Sequence, residues 1–387
     1  MTAHKLIYRT AREYVNILSK KIKSLLASIF ITRCKNVYEA ISYLQSYIKN
    51  YFLTFHLRPK YAVDIITNSA NEIPPNKLAI IIQGPLVLED NFTIETIKLY
   101  NKIFKGAKLI LSTWTGEDKE AIEKAKYLGA DVITNDLPKT KGYGNINYQL
   151  KSTMSGLTIA NELKYEFSMK TRADQRLYRH DLFDYFTALI KAFPLKESLI
   201  QHERLIVSSF KTCKYRLYSL SDMMMFGDTR DLISYWNADY YEKGIKPYIN
   251  QQKKQNPPII HDTPIITEIY LTIKYLEKLG IEPLWTLQHW WSICRDYFCI
   301  VDSIEIDQQW PKYKKLYEYW FIKDYSNPNP RSFEFADWLQ LYVNQDGYWN
   351  KVNSHEFYEY NNDKIVGWEK NRDSGLYVSF KPNNKKL

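Results

Sequence analysis

A regular alternation of short apolar strands and amphipathic helices begins at Leu78, and this feature most constrains the fold. The segment Leu78–Ile82 is a β-branched run typical of a buried strand. The next predicted elements are a helix over 92–104, a strand at 108–111, a helix over 117–128 and a strand at 131–134. This order predicts a parallel, right-handed, Rossmann-type sheet. Ligands of such sheets bind beyond the carboxyl ends of the strands.

The same alternation continues into the second half of the chain. We predict a helix near 148–163, a strand at 166–172, a helix at 181–193, a strand from Leu220 to Phe226, a helix from Asp228 or Thr229, and a helix from Asp262–Pro264 to about Leu279. Before the helix over 117–128, Thr115 is the predicted N-cap and Asp118 its weaker capping-box partner. Gly129 and Gly280 each follow a predicted helix, where they can end it.

The N-terminal 60 residues carry almost all of the net charge. They contain eleven Lys or Arg and two Glu, which gives +9 of the +10 carried by the whole chain. Apolar residues at helical spacing predict amphipathic helices over 13–31 and 37–52. Such helices either lie on an anionic membrane or pack on the main domain with solvated lysines. We divide the chain into this segment (1–60), a Pro-containing linker (58–77), a core domain (75–310) and a C-terminal extension (311–387).

Several protein classes are disfavoured because their motifs are absent from the sequence. No Gly-x-Gly-x-x-Gly follows the first strand and no phosphate-loop motif occurs, which argues against dinucleotide cofactors and phosphate-loop NTPases. The four cysteines lack zinc-site spacing, and sparse cysteine fits a reducing compartment. No apolar run approaches the roughly 18–20 residues of a membrane span. We find no signal-peptide layout and no nucleic-acid-binding motif.

A cluster of charge ends the strand predicted at 166–172. Lys170, Arg172 and Arg176 surround one carboxylate, that of Asp174. A carboxylate among cations at a strand end suits a bound phosphate or metal. The alternative is an ion-paired loop carboxylate, which is the commoner case for any one Asp. The pattern Asp-Gln-Arg replaces the second acid of the Asp-x-Asp motif of metal-dependent transferases, and this favours cations over a metal for neutralising a leaving phosphate.

Two further acids are candidate catalytic groups. Asp222 precedes the core-like run Met223–Phe226, and a carboxylate entering such a run must be paired or functional. A structural ion pair is the alternative for Asp222. Glu268 lies one turn into the helix predicted after Pro264, where it is a candidate base or else a solvated helix-face acid.

Polar residues at the ends of earlier strands are candidate ligand contacts. The turn Gln83-Gly84-Pro85 closes the first strand, where Gly84 allows close backbone approach and Gln83 offers an amide. Asn145 and Asn147 lie in a Gly-containing loop and are alternatively turn formers. The full set of candidate residues for binding a phosphate-bearing donor substrate is Gln83, Gly84, Pro85, Thr113, Asn145, Asn147, Lys170, Arg172 and Arg176.

The ordered motifs of the core domain resemble those of the WavE lipopolysaccharide-synthesis family over roughly residues 78–300. They are Ile80–Pro85, Leu111–Trp114, Gly144–Asn147, Gln149, Ser152-Thr153, Gly156-Leu157 and Lys170–Asp174. The resemblance implies an α/β fold with a GT-A-like Rossmann-type mixed sheet flanked by helices. Residues 1–60 and 311–387 lie outside the resemblance, and we expect them to form an N-terminal helical segment and a C-terminal α+β extension. The resemblance also implies glycosyl transfer in bacterial surface polysaccharide synthesis.

In GT-A folds the acidic motif after the central strand binds the donor pyrophosphate, often through Mn²⁺ or Mg²⁺. The resemblance therefore implies donor phosphate and a metal at Asp174, although Arg176 departs from the motif. It places Asp222 near the acceptor and Glu268 on a base-bearing helix.

We expect a cytoplasmic glycosyltransferase that sits peripherally on the inner membrane through residues 1–60. It would move a sugar from a nucleotide-sugar donor to a lipopolysaccharide or capsular glycan, using Asp174, Asp222 and Glu268. The alternatives are a nucleotidyltransferase-type sugar-nucleotide enzyme and a non-catalytic, basic, membrane-binding scaffold.

Overall fold

The computed structural model describes residues 58–65, 72–196, 200–214, 216–242, 267–284, 287–311 and 332–344. The chain divides into two units, Met1–Arg58 and Pro59–Leu387. All described residues except Arg58 belong to the second unit. The helices predicted over 13–31 and 37–52, and the helix start predicted at 262–264, lie outside the described residues.

A mixed sheet of seven strands organises the described part of the second unit. Its strands are β1 (Leu78–Gln83), β2 (Lys108–Trp114), β3 (Asp131–Asn135), β4 (Phe167–Arg172), β6 (Leu205–Ser208), β7 (Met225–Asp228) and β8 (Phe298–Val301). Their order is β3-β2-β1-β4-β7-β6-β8. Strands β1 to β4 are parallel, whereas β7 runs antiparallel to both β4 and β6. A separate ribbon pairs β5 (Arg176–Leu177) with β9 (Gln308–Gln309).

Helices flank this sheet, and none described here is long and apolar enough to cross a bilayer. They are α1 (Phe92–Ile103), α2 (Lys119–Tyr127), α3 (Ile146–Glu162), α4 (Leu182–Ala192), α5 (Thr229–Trp236), α6 (Thr267–Lys278), α7 (Leu287–Tyr297) and α8 (Phe335–Val343). Helix α3 lies so close to β1 that a Cβ added to Gly156 would be 2.5 Å from Ile81 Cγ2. This close approach explains a glycine inside a long helix, where it otherwise costs stability.

The core lies on both faces of the sheet. Every residue of β1 is buried, which is why its sequence is apolar almost throughout instead of alternating. Aromatic side chains join β4 to β7, because Phe167 stacks on Phe226 with ring centroids 5.4 Å apart. Phe186 of α4 covers the same Phe226 ring at 5.0 Å.

The sequence-based prediction of an α/β mixed sheet flanked by helices is confirmed. One strand differs in position, because β7 begins at Met225 whereas the predicted strand began at Leu220. The cause is a pair of side chains that bind the backbone before β7. Lys170 donates to the Asp222 carbonyl, and Gln175 donates to the Met223 carbonyl at 2.9 Å. Those carbonyls are therefore engaged outside the β-ladder.

The start of α2 also differs from the prediction. Asp118 is the N-cap, and its carboxylate accepts from the Ala121 amide at 2.7 Å. The Thr115 hydroxyl instead donates to Asp136 at 2.9 Å. The predicted glycine signals hold, since Gly129 and Gly280 follow their helices with φ of +86° and +72°.

Candidate functional site

The carboxyl ends of β1 and β4 lie side by side. Gln83 is in register with Arg172, and the Ala173 amide donates to the Gln83 carbonyl at 2.9 Å. Because β7 is antiparallel, its first residue lies near the same edge, with Met225 paired to Lys170. The charged stretch after β4 and the Asp222 segment before β7 therefore meet at one edge of the sheet.

Asp174 and Arg172 form a bidentate ion pair at this edge. The two bonds join Arg172 Nε to Asp174 Oδ1 at 2.8 Å and Nη2 to Oδ2 at 3.0 Å. Only 16% of the Arg172 side chain and 14% of the Asp174 side chain are exposed. The guanidinium lies over the Trp310 ring, 5.4 Å from its centroid. Paired and stacked in this way, the guanidinium keeps a fixed orientation at this edge of the sheet.

Arg176 faces away from this pair. Its guanidinium donates to Thr96 Oγ1 at 2.8 Å and to the backbone carbonyls of Lys60 and Phe92 at 2.7 and 2.9 Å. It also stacks on the Phe92 ring at 4.0 Å. Most of its donors are thus used to join β5, α1 and the residues before β1. We therefore leave Arg176 out of the proposed site.

Lys170 and Asp222 are packed together beneath the same edge. Lys170 has no exposed surface, and Asp222 is 6% exposed. The ammonium donates to the Asp222 backbone carbonyl and lies 4.5 Å from the centroid of the Trp236 ring. Burial lowers the pKa of Lys170 to about 7, while the Asp222 carboxylate acts in the opposite direction.

Glu268 joins this group from the first described turn of α6. Burial of its carboxyl, followed by the nearby Asp222 carboxylate, raises the pKa of Glu268 to about 7. Arg216 and Lys211 partly oppose that rise. Asp222 acts electrostatically on both Lys170 and Glu268, and Asp174 acts on Lys170, so the three acids belong to the same edge of the sheet.

The turn after β1 presents open space to a ligand. Gly84 has φ of +113°, and an added Cβ would meet no atom within 4 Å. Pro85 is exposed, whereas the Gln83 side chain is buried and accepts from Ser152 Oγ at 2.9 Å. Gly84 is itself buried, so Pro85 is the exposed residue of this turn.

The other candidate contacts are Asn147, Asn145 and Thr113, and they differ in burial. The Asn147 amide is buried, donates to the carbonyls of Thr140 and Tyr241, and accepts from the Tyr241 amide. It therefore holds the loop before α3. Asn145 is exposed with φ of +62° and makes no side-chain cap. Thr113 is buried at the end of β2.

Sequence reasoning missed three features of this edge. Trp310 supports Arg172, and Glu117 accepts from the Leu86 amide at 3.3 Å beside the β1 turn. Burial raises the pKa of Glu117. A buried chain of amides runs through Gln175 and Gln308 under the site. Glu117 lies just beyond a strand end and could have been found from that position, whereas the other groups depend on long-range pairing.

Asp174 is a poor match for a divalent cation. Both of its carboxylate oxygens accept from Arg172, and such a cation prefers several oxygen ligands. Among the described residues, His202, Asp228 and Asp231 have ligand atoms within 4.8 Å of one another. That group lies at the opposite edge of the sheet, because Asp228 is paired with Phe167 at the start of β4.

The fold and this edge define an α/β protein with a mixed seven-stranded sheet and a charged site where the parallel strands meet an antiparallel one. The family model described as WavE lipopolysaccharide synthesis matches residues 78–368. This is more than half of the chain, and the chain belongs to that family.

Solved structures give weaker likenesses. One is glucosyl-3-phosphoglycerate synthase from Mycobacterium tuberculosis, solved with Mn²⁺, UDP and glucosyl-3-phosphoglycerate. It is 14% identical with a TM-score of 0.30, and the match covers 58% of this chain and 69% of that enzyme. The 4-diphosphocytidyl-2C-methyl-D-erythritol synthase of Anaerococcus prevotii is 8% identical, with a TM-score of 0.29. The match covers 43% of this chain and 79% of that enzyme. Function must therefore be argued from the site itself. No curated protein matches the chain.

Proposed function

We propose that this protein is a glycosyltransferase that moves a sugar from a nucleotide-sugar donor to a bacterial surface glycan, in lipopolysaccharide or capsule synthesis. Membership of the WavE family supports the pathway. The observation that carries the proposal is the Arg172–Asp174 pair at the same end of the sheet as the buried Asp222, which acts electrostatically on the half-buried Glu268. This arrangement puts a cation for a phosphate next to acids that can accept a proton.

Each group has a role in the proposed transfer. The acceptor oxygen attacks the anomeric carbon, and the bond from that carbon to the phosphate oxygen breaks. Arg172 stabilises the negative charge on the departing nucleotide, and Asp174 holds the guanidinium in place. The proton of the acceptor hydroxyl passes to Glu268, whose pKa the nearby Asp222 carboxylate helps to raise.

We propose further that transfer does not depend on a divalent cation at Asp174. The Asp174 oxygens are already neutralised by a guanidinium, so Arg172 takes the charge-stabilising role that a metal would have. The cytoplasmic face of the inner membrane is the proposed location, since residues 1–60 carry a net charge of +9 that suits anionic lipid.

The first experiment identifies the donor. A thermal-shift screen of the full chain against UDP-, GDP-, CMP- and dTDP-sugars, with and without Mn²⁺, should give a higher melting temperature with one nucleotide class. No shift with any of them would contradict the proposal. Release of pyrophosphate from a nucleoside triphosphate plus a sugar phosphate would instead indicate a nucleotidyltransferase.

The second experiment tests the site. Asp174→Ala is expected to lower turnover at least about 100-fold, because the guanidinium loses its fixed position, while the fold persists. Glu162→Gln, a change at an exposed acid on α3, is the control and should leave turnover unchanged. Unchanged turnover in Asp174→Ala would remove Asp174 from the mechanism.

A further inference from the structure

The Arg172–Asp174 pair carries no net charge, because each guanidinium bond ends on the carboxylate. A departing nucleoside diphosphate carries negative charge that cations must stabilise where no metal does so. The other two cations of this stretch are poorly placed for that role. Lys170 has no exposed surface, and Arg176 is bonded to groups away from the pair. The proposed metal-independent transfer therefore needs a further cation at this edge of the sheet.

The chain that follows β6 brings a lysine to the same edge. Val207 on β6 is paired with Met225 on β7, and Met225 is also paired with Lys170 on β4. Because β7 is antiparallel to both neighbours, β4 and β6 end at the same edge, two strand spacings or roughly 10 Å apart. Lys211 follows the end of β6 in the next turn, and its side chain is half-buried.

Lys211 and Arg172 are supported by the same pair of aromatic rings. The Lys211 ammonium lies 6.0 Å from the centroid of the Phe210 ring, and Phe210 packs edge-on against Trp310 with centroids 5.9 Å apart. The Arg172 guanidinium lies 5.4 Å from the centroid of that Trp310 ring. Phe210, Trp310 and Met223 together form a small buried apolar cluster. Two cations from different strands therefore rest on one packed support.

The backbone of the Lys211 turn is held from several sides. The Thr212 amide donates to the Ser209 carbonyl at 3.0 Å and closes the turn, in which Lys211 has φ of +71°. The Ser209 amide donates to the Val301 carbonyl at 2.7 Å, and the Ser221 amide donates to Thr212 Oγ1 at 3.1 Å. Glycine is the favoured residue at a turn position with positive φ. A lysine in its place indicates that the side chain has a use.

We propose that Lys211 contacts the donor and, together with Arg172, binds the diphosphate of the nucleotide sugar. This inference rests on the proposed glycosyl transfer and narrows its donor to a nucleoside diphosphate sugar. The bond between the anomeric carbon and the phosphate oxygen breaks, and its electron pair stays on that oxygen. The Lys211 ammonium supplies the positive charge that the neutral Arg172–Asp174 pair lacks.

The test compares the affinity for nucleoside diphosphates with that for the monophosphates in Lys211→Gly, which removes the ammonium and suits the positive φ. Calorimetric titrations of the full chain in EDTA use UDP, GDP and dTDP, each beside its monophosphate. The wild type should bind one diphosphate more tightly than its monophosphate. Lys211→Gly should weaken binding of that diphosphate about 10–100-fold and of the monophosphate less, so that the gap narrows.

Two further variants show whether the effect belongs to a contact. Lys211→Arg keeps a cation at the same position and should retain most of the gap. Lys214→Met removes another lysine of the same segment, one that is paired with Asp337 at 2.7 Å, and should leave the gap unchanged. Equal narrowing in Lys214→Met would indicate a general charge effect and overturn the proposal. An unchanged gap in Lys211→Gly would do the same.

Urea unfolding separates a role in binding from a role in folding. Lys211→Gly should unfold at the same or a higher urea concentration than the wild type, because glycine adopts this φ without strain. A lower midpoint accompanied by a narrowed gap would make Lys211 a structural residue and overturn the proposal. If the wild type binds no nucleotide and turns over no nucleotide sugar, the proposed function itself fails. If it transfers sugar while the gap persists in Lys211→Gly, only the role of Lys211 fails.

Discussion

The amide chain under the site allows a quantitative prediction. Gln175 Nε2 donates to Thr171 Oγ1 at 2.8 Å and to the Met223 carbonyl at 2.9 Å. Gln308 Nε2 donates to Gln175 Oε1 at 3.1 Å, and Gln308 Oε1 accepts from Ser208 Oγ at 2.5 Å. Both glutamines are buried, with 0% and 1% of their surface exposed. The chain therefore ties the Asp174 turn to the segment before β7 and to β6.

Replacing one of these glutamines by methionine keeps the approximate shape of the side chain but leaves its hydrogen-bond partners unpaired. Each buried donor or acceptor left without a partner costs about 1–3 kcal/mol. Gln175→Met strands groups on three residues, although some can relax, so we expect a loss of about 2–4 kcal/mol in the free energy of unfolding. Gln308→Met strands two groups and should cost about 2–3 kcal/mol.

The double variant is the decisive measurement. Once both amides are gone, neither is left facing a lost partner, so the combined cost should fall short of the sum by about 1–2 kcal/mol. Urea unfolding of the full chain at constant m-value measures this. Gln340→Met, at an exposed position on α8, is the control and should change stability by no more than about 0.5 kcal/mol. Strictly additive losses would refute the connected chain.

Three further predictions follow from buried or paired charges. Arg204→Ala should lower the free energy of unfolding by about 3–5 kcal/mol, because the buried guanidinium binds four backbone carbonyls and lies over two aromatic rings. Urea unfolding measures this, and an unchanged free energy would contradict these contacts. The raised pKa of Glu268 means that the folded state binds its proton more tightly, so stability should fall as pH rises from about 4.5 to 7, and Glu268→Gln should flatten that fall. Turnover in EDTA should stay within about twofold of that with Mn²⁺, and loss of turnover that Mn²⁺ restores would refute the metal-independent mechanism.

The first four strands could be predicted because their signal is local. Each is an apolar run followed by a periodic helix, and the connection imposes parallel pairing. Strands β6 and β8 were missed because four-residue apolar runs carry no period of their own. The start of β7 depends on Lys170, which is 52 residues away from Asp222 in sequence. No local pattern contains that contact.

The same distinction holds for the site. A carboxylate beside a guanidinium was predictable at Asp174 and Arg172, since the two residues are only two positions apart. Arg176 looked equivalent in sequence, but its direction is set by α1 and by the backbone of Lys60. Trp310 completes the site from 138 positions beyond Arg172, and the pairing of β5 with β9, the strand just before Trp310, could not be inferred from composition.

The anchoring of Arg176 also has a mechanical consequence. Its guanidinium donates to the carbonyl of Lys60, and the Tyr178 hydroxyl donates to the carbonyl of Pro59 at 2.9 Å. The chain therefore enters the domain through a clamp built on a strand that starts two residues after Asp174. Tension applied at residues 59 and 60 would therefore act on β5, two residues from Asp174, and on α1 through the bonds of Arg176 to Thr96 and Phe92.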